Sequence, residues 1–296
     1  MLHFADRLSQ AVAAKQAPIC VGLDPVYERL PASLQQQPDT PQARVQAIIQ
    51  FCIGVLQAVA PHVPAVKPQS ACFERYGWQG VQACEQIIVE AQKLGLIVIL
   101  DGKRGDIGIS SEHYAAGLLT DRPHAPAADA LTVNSYLGAD GLEPFIKTAS
   151  AGGKGLFALV RTSNPGGDAL QGLKLVDGRS VAEATAMLMA QAGAAYRGTS
   201  GYSLLGAVVG ATKAEDAVRL REIMSEQIFL VPGFGAQGGK ADDVRACFKK
   251  DGTGAIITAS RSVLFAYEKP ATSDWQGAVA AAAVQMKQQI AAILQE

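Results

Sequence analysis

Eight short apolar bursts, rich in β-branched residues and each closing on polar or glycine residues before a longer helical stretch, dominate this chain of 296 residues. They are continuous runs, not alternations of apolar and polar residues, and a strand reads that way when both of its faces are covered. Buried parallel strands are therefore expected at Ile19–Leu23, Ala65–Lys67, Leu96–Leu100, Ala130–Val133, Gly155–Val160, Leu204–Val209, Ile228–Val231 and Gly254–Thr258. Such strands either close into a (β/α)8 barrel or lie in an open, doubly wound sheet. The count of eight, in a chain near the ~250 residues usual for these barrels, favours a single α/β domain over residues 1–296 with the (β/α)8 TIM-barrel fold.

The intervening segments fit that plan. Arg44–Ala60 and Val81–Lys93 carry apolar residues at three and four spacing, as core-facing helices do. Ala182–Ala195 reads as another helix, with Met187 and Met189 as packing residues, and Asp274–Glu296 as a closing amphipathic helix. Asn164–Gly178 is rich in turn formers and is expected to be a mobile loop after the fifth strand. Asp121–His124 reads as a turn, and Trp78 and Trp275 as packing residues. No internal repeat or low-complexity linker divides the chain.

Composition narrows the function classes. With 26 Lys+Arg against 27 Asp+Glu the formal net charge is −1, so there is no global basic field to hold nucleic acid or an anionic membrane. The first ten residues, MLHFADRLSQ, lack the basic and apolar regions of a secretory signal. The Ala-rich run Ala278–Val284 falls far short of the ~20 apolar residues of a membrane span. Five scattered cysteines without a C-x-x-C pair indicate neither a disulfide framework nor a zinc site, and fit free thiols in a cytoplasmic protein. His113 has no partner at metal-ligand spacing and reads as structural.

Charge must then act locally, and in a parallel barrel it acts at the carboxyl ends of the strands. Those ends are polar: Asp24 (VGLDP), Lys67 (AVKP), the run Asp101, Lys103, Arg104 and Asp106 (LDGKRGDIG), Asn134 (TVNSY), Ser163 (RTSNPGG), Gln237 (PGFGAQGG) and Arg261 (ITASRSV). In an extended strand Asp101 and Lys103 share a face. With Lys67 beside them, two lysines and two aspartates would alternate in one confined site and keep each other ionised. A lone Asp-x-Lys would be an ordinary surface ion pair; the apolar run before it and the other polar strand ends point instead to function. PGFGAQGG, with Gly235 and Gln237, and ITASRS, with Arg261, follow the seventh and eighth strands. There, close-approaching backbone amides and a guanidinium suit a phosphate group. No nucleophile elbow and no Walker loop is present.

Taken together, LDGKRGDIG, VGLDP, VKP and PGFGAQGG resemble the orotidine 5′-phosphate decarboxylase family, in particular its longer bacterial group (type 2) with D-x-KRGDI. The match runs in the family's order from Asp24 to Arg261. Gly102 stands where that group usually has Ala, and TVNSYLG replaces TVNPYMG, putting Ser135 in the fourth-strand loop. The resemblance implies a carboxy-lyase of pyrimidine biosynthesis that turns orotidine 5′-monophosphate into uridine 5′-monophosphate and carbon dioxide with no metal or organic cofactor. It implies Lys103 as the proton donor to C6 and Asp101 beside the departing carboxylate. Lys67 and Asp24 would hold the ribose hydroxyls, Ser163 and Ser110 the pyrimidine, and Gln237 and Arg261 the phosphate, with Gly235 and Asn134 as further substrate contacts. Asp106 would reach the site of a partner subunit, implying a homodimer.

Three other readings compete. A metal-dependent phosphosugar enzyme of the same suprafamily would need a carboxylate ligand after the second strand, where this chain has Lys67. A Schiff-base aldolase would need a neutral lysine, which the flanking aspartates oppose. A non-catalytic nucleotide-binding barrel would be expected to lack one of the charged residues.

Overall fold

In the computed structural model, which describes residues 2–35, 40–123, 126–210, 214–234 and 241–295, the eight apolar bursts form eight strands. They are β1 (Ile19–Leu23), β2 (Ala65–Pro68), β3 (Ile97–Arg104), β4 (Ala130–Val133), β5 (Gly155–Arg161), β6 (Leu205–Val209), β7 (Phe229–Val231) and β8 (Ala255–Ala259). Each pairs in parallel with the next, and β8 pairs with β1, so the sheet closes into a barrel. Val21 lies opposite both Val66 of β2 and Ala259 of β8. Closure, not an open sheet, is what lets every residue of β1, β4, β6 and β8 be buried.

Four strands run past their expected ends, β2, β5 and β8 by one residue and β3 by four. β3 continues through Arg104 with a register shift between Leu100 and Arg104, and Lys103 adopts φ 46°, the left-handed region. There the Lys103 N–H donates to Thr132 Oγ1 at 2.9 Å, a side-chain partner that replaces a ladder carbonyl. β5 continues through Arg161 with a similar shift after Leu159.

The amino-terminal end of the barrel is sealed by a helix, Phe4–Lys15, that the sequence patterning left unassigned. Phe4 is buried and meets Phe157 of β5 edge-on, with ring centroids 5.9 Å apart. Gly155 makes room for it, since a Cβ at that position would lie 2.0 Å from the Phe4 ring. The carboxylate of Asp6 ties this helix to the chain before β6 by accepting the Thr199 and Ser200 N–H groups at 2.9 and 2.7 Å.

Outside the barrel, the helices Pro41–Val59, Gly77–Lys93, Val181–Gly193 and Trp275–Gln295 correspond to the expected ones. The first starts earlier than its periodicity suggests because Thr40 caps it, accepting the Ala43 N–H, and Pro41 occupies its first position. It is this helix, and not the Ala278–Val284 run, that is long and apolar enough to cross a bilayer. Phe51, Val55 and Leu56 on it are buried in the core, and Trp275 packs on Phe51 at 5.3 Å, as expected.

Trp78 and Met187 do not pack: they are 71% and 46% exposed. Helical phase explains both, since Ala83, Ile87, Ala186 and Met189 face inward and leave Trp78 and Met187 on outer faces. The Asn164–Gly178 segment is also more built than its composition suggests. It forms a 3-10 turn at Pro165–Gly167, a helical turn at Asp168–Gln171 and a short hairpin in which Lys174 pairs with Ser180. Of the Asp121–His124 turn, His124 lies outside the described residues.

The plug should carry measurable stability. Phe4→Ala is expected to lower the unfolding free energy by about 3–5 kcal/mol, as for other buried phenylalanines, whereas Trp78→Ala should stay within ~0.5 kcal/mol of the parent. Urea denaturation of the two variants checks both, and equal midpoints would remove the plug's role.

Candidate active site

The carboxyl ends of the strands surround a cavity of about 410 Å³. Its centre is the carboxylate of Asp101 on β3, only 6% exposed. One oxygen, Oδ1, receives Lys103 Nζ at 2.6 Å and Thr132 Oγ1 at 2.9 Å. The other, Oδ2, receives Lys67 Nζ at 2.5 Å and Gln69 Nε2 at 3.0 Å. Four donors converge on one buried anion, which is how a low-dielectric site tolerates a charge.

The charges set each other's protonation. Burial raises the Asp101 carboxyl, but the ammonium groups of Lys67 and Lys103 outweigh it and hold it down at about 2. Burial likewise opposes the charge on Lys67, and the Asp101 and Asp24 carboxylates overcome it, leaving that ammonium above its ordinary value. Lys103 differs in exposure: its side chain is 47% exposed where that of Lys67 is 9%. Lys103 is thus the ammonium more fully presented to the cavity, while Lys67, also in the lining, is largely buried.

Asp24, at the end of β1, lines the same cavity, and its Oδ1 is buried without a hydrogen-bond partner among the described residues. Such an oxygen costs about 1–3 kcal/mol, a cost that a ligand hydroxyl would relieve. Gly22 lets the wall close here, since a Cβ there would sit 1.9 Å from Ser260 Oγ. Further round the cavity Thr162, Ser163 and Asn164 follow β5 and Gly233 and Phe234 follow β7, while Ser260 and Arg261 follow β8, the neighbour of β1. The floor is apolar, with Leu159, Val208 and Leu230. Gly235 and Gln237 lie outside the described residues.

The expected constellation of two lysines and two aspartates forms within one chain only in part. Lys67, Asp101 and Lys103 meet, but Asp106 does not line the cavity. The chain turns at Gly105, where a Cβ would lie 3.1 Å from the Asn134 carbonyl, and carries Asp106 onto the rim. There its Oδ1 accepts the N–H of Ile107 at 2.9 Å. Ser110, in the helix Gly108–Leu119, and Asn134, exposed and accepting the Tyr136 N–H, stand on the same rim outside the cavity lining. Around them Ile107, Ile109, Tyr136 and Leu137 are 57%, 69%, 77% and 45% exposed, an apolar patch of the kind that marks an interaction surface.

Gln69 and Thr132 are site residues that strand-end reasoning missed. Both had a signal: Gln69 lies two residues beyond Lys67 and so on the same strand face, and Thr132 is the one polar residue of the burst ALTV. His113 is exposed on the outer face of its helix, and among the described residues no three His, Cys, Asp or Glu side chains come together as a metal-binding group.

Comparison with known proteins finds relatives of the whole chain. Residues 17–274 match the model of the orotidine 5′-phosphate decarboxylase / HUMPS family. The chain is similar to an orotidine 5′-phosphate decarboxylase of Rhodopirellula baltica, with 43% identity covering 98% of this chain and 99% of the relative. It is also similar to one of Deinococcus radiodurans, with 38% identity covering 89% of each. Among solved structures, the OMP decarboxylase of Leishmania donovani superimposes with a TM-score of 0.78 at 30% identity, covering 100% of both chains.

The depressed Asp101 carboxyl fixes an acid limb. Because its folded value lies below the usual 3.8, its stabilisation is complete above that pH and is lost as the pH falls towards 2, a loss of about 2 kcal/mol. Asp101→Asn should be less stable at neutral pH, since it strands two ammonium groups, and should lose less stability between pH 4 and 2 than the parent. Chemical denaturation across that range would refute the coupling if the two acid limbs ran parallel.

Proposed function

The chain belongs to the orotidine 5′-phosphate decarboxylase / HUMPS family, and from that membership we propose that it converts orotidine 5′-monophosphate into uridine 5′-monophosphate and carbon dioxide, in pyrimidine biosynthesis, without a metal or organic cofactor. One observation carries the reading: a cation, Lys67, stands at the carboxyl end of β2 and is bonded to Asp101. A metal-dependent member of the suprafamily would need a carboxylate at that position. Asp101 is moreover saturated by four donors and so is poorly placed to give an oxygen to a metal ion.

The reaction breaks the bond between C6 and the carboxyl group and leaves the electron pair on C6, a vinyl carbanion that the ring does not delocalise. A fixed ammonium beside C6 stabilises that charge, and preorganised charge in a dry site is often the largest catalytic contribution, with one key group worth on the order of 10²-fold or more. Lys103 Nζ is that ammonium, and its proton passes to C6 as the bond breaks. Asp101 orients it through the 2.6 Å contact and, lying beside the substrate carboxylate, adds a repulsion that departure of carbon dioxide relieves. Asp24, with its unpartnered oxygen, and Lys67 take the ribose hydroxyls, and Ser163 faces the base. Arg261, Gly235 and Gln237 hold the phosphate, whose binding energy serves to press the ring against the charged wall.

Ser110 and Asn134 remain substrate contacts in this reading, and Asp106, on the same rim, belongs to its second feature, a homodimer. The exposed apolar side chains around Asp106 suit self-association, and a subunit docked on them would bring Asp106 to its neighbour's cavity.

Loss of the orotate absorbance with formation of uridine 5′-monophosphate, undiminished by excess EDTA, is the expected result with the purified protein. Binding of uridine 5′-monophosphate without turnover would instead make this a binding protein. Lys103→Ala should abolish turnover and keep nucleotide binding; substantial residual activity would rule out its role as proton donor. Arg261→Ala should mainly raise KM while also lowering kcat, and an unchanged kcat would mean that phosphate binding is uniform between ground and transition states. Mixing inactive Lys103→Ala and Asp106→Asn subunits should restore activity through hybrid dimers, and failure of complementation would place Asp106 outside the partner's site.

A further inference from the structure

β5 ends in a buried arginine that no step of the proposed reaction uses. The Arg161 side chain is 6% exposed, and among the described residues its polar contacts lie outside the cavity lining: an ion pair to Asp168, a second to Asp216 at 2.8 Å, and Gln171 Oε1 at 3.4 Å. The acids come from different connections. Asp168 and Gln171 belong to the helical turn after β5, and Asp216 to the first turn of the helix Ala214–Ile223 after β6. A buried guanidinium without such partners would be costly, so it draws both segments onto the barrel.

What this holds in place is cavity wall. Gln171 Oε1 accepts the Thr162 N–H at 2.9 Å, and its Nε2 donates to Thr162 Oγ1 at 2.9 Å. The Arg161 carbonyl accepts the Gly210 N–H at 2.8 Å, and a Cβ on Gly210 would lie 2.9 Å from Ser163 Cα. Thr162 and Ser163 are thus gripped between the end of β6 and a turn that Arg161 anchors from behind.

We propose that Arg161 is a positioning residue for ligand recognition: by fixing Asp168 and Gln171 to the barrel, it holds Thr162–Asn164 as a preformed wall against which the nucleobase is read. The identity of the ligand rests on the decarboxylase reading; the prebuilt wall does not. A cation turned away from the cavity acts on the base through this wall and leaves the phosphate subsite, at Arg261 across the cavity, untouched.

The separating measurement is the affinity for uridine 5′-monophosphate relative to ribose 5-phosphate, by calorimetry, in the parent and in Arg161→Met, Asp168→Asn and Asp168→Glu. Misplacement of a contact wall by ~1 Å can cost up to ~10²-fold. The expected result is a fall of at least about tenfold in that ratio for Arg161→Met and Asp168→Asn, with ribose 5-phosphate binding retained and the ratio largely restored in Asp168→Glu. In turnover, KM for orotidine 5′-monophosphate should rise more than kcat falls. An unchanged ratio, or equal loss of both ligands, would overturn the proposal. Should Arg161→Met fail to fold, Asp168→Asn carries the test alone, because the Asp168 side chain is half-exposed. A parent protein that binds ribose 5-phosphate but gains nothing from the base would remove the decarboxylase reading, and this inference with it.

Discussion

Everything at the mouth of this barrel is arranged around a single buried carboxylate held between two ammonium groups. Asp101 cannot be charged at 6% exposure without compensation, and each of its donors comes from a strand end or the residue just past one: Lys67 and Gln69 at β2, Lys103 at β3 and Thr132 at β4. The arrangement is not chiefly a stabilising device, since buried ion pairs often do little better than apolar side chains of the same volume. Its yield is orientation. Lys103 is the only member of the array whose side chain is substantially exposed, and it can point at a ligand only because Asp101 is fixed from the other side by Lys67 and Gln69.

The barrel divides its labour along its axis. At the amino-terminal end Phe4 and the strand residues beneath it make an apolar seal, and the strands pair there without a register shift. At the carboxyl end regularity is given up at two places, and both carry a buried or cavity-facing cation. Within β3 the register shift and the left-handed backbone at Lys103 aim an ammonium into the cavity; at the end of β5 a similar shift precedes Arg161, which is aimed outward to fasten the wall. A non-glycine residue held at positive φ costs of the order of 1 kcal/mol and persists only where its surroundings over-determine it. At Lys103 they do, because its N–H is taken by Thr132 and its Nζ by Asp101.

The strands were legible because burial on both faces leaves an unbroken apolar run, and the charged residues ending those runs gave Asp24, Lys67, Asp101, Lys103, Ser163 and Arg261 as cavity residues. Less legible were residues whose role depends on a neighbour in space. Arg161 stands just past the expected end of the fifth strand and drew no reading from sequence; only its contact with Asp216, 55 positions away, shows that it is a tie between connections. Asp106 sits in a strong local motif, yet the turn at Gly105 takes it out of its own cavity, and no spacing rule carries that information. Trp78 and Met187 show the same limit from the other side: type suggests packing, but helical phase decides exposure.

Charge balance in the cavity links these details to the kind of ligand it suits. Among the described lining residues, Lys67, Lys103 and Arg261 face Asp24 and Asp101, so the site has one cation more than it has anions in a chain whose net charge is −1. The three cations also stand in two separate places. The Asp101 array occupies the β2–β4 side, while Arg261 stands after β8, across from Ser163. A ligand bearing an anionic group at one end and a hydroxylated ring near Asp24 would place its remaining atoms against Lys103. Because the Asp101 oxygens are already saturated, what this wall offers such a ligand is an oriented ammonium and a neighbouring fixed negative charge. In the reaction proposed above, that combination would stabilise electron density arriving on a carbon beside Lys103 and disfavour a carboxylate kept there. In the proposed reaction, the same constellation that satisfies a buried anion is therefore the one that would lower the barrier to loss of carbon dioxide.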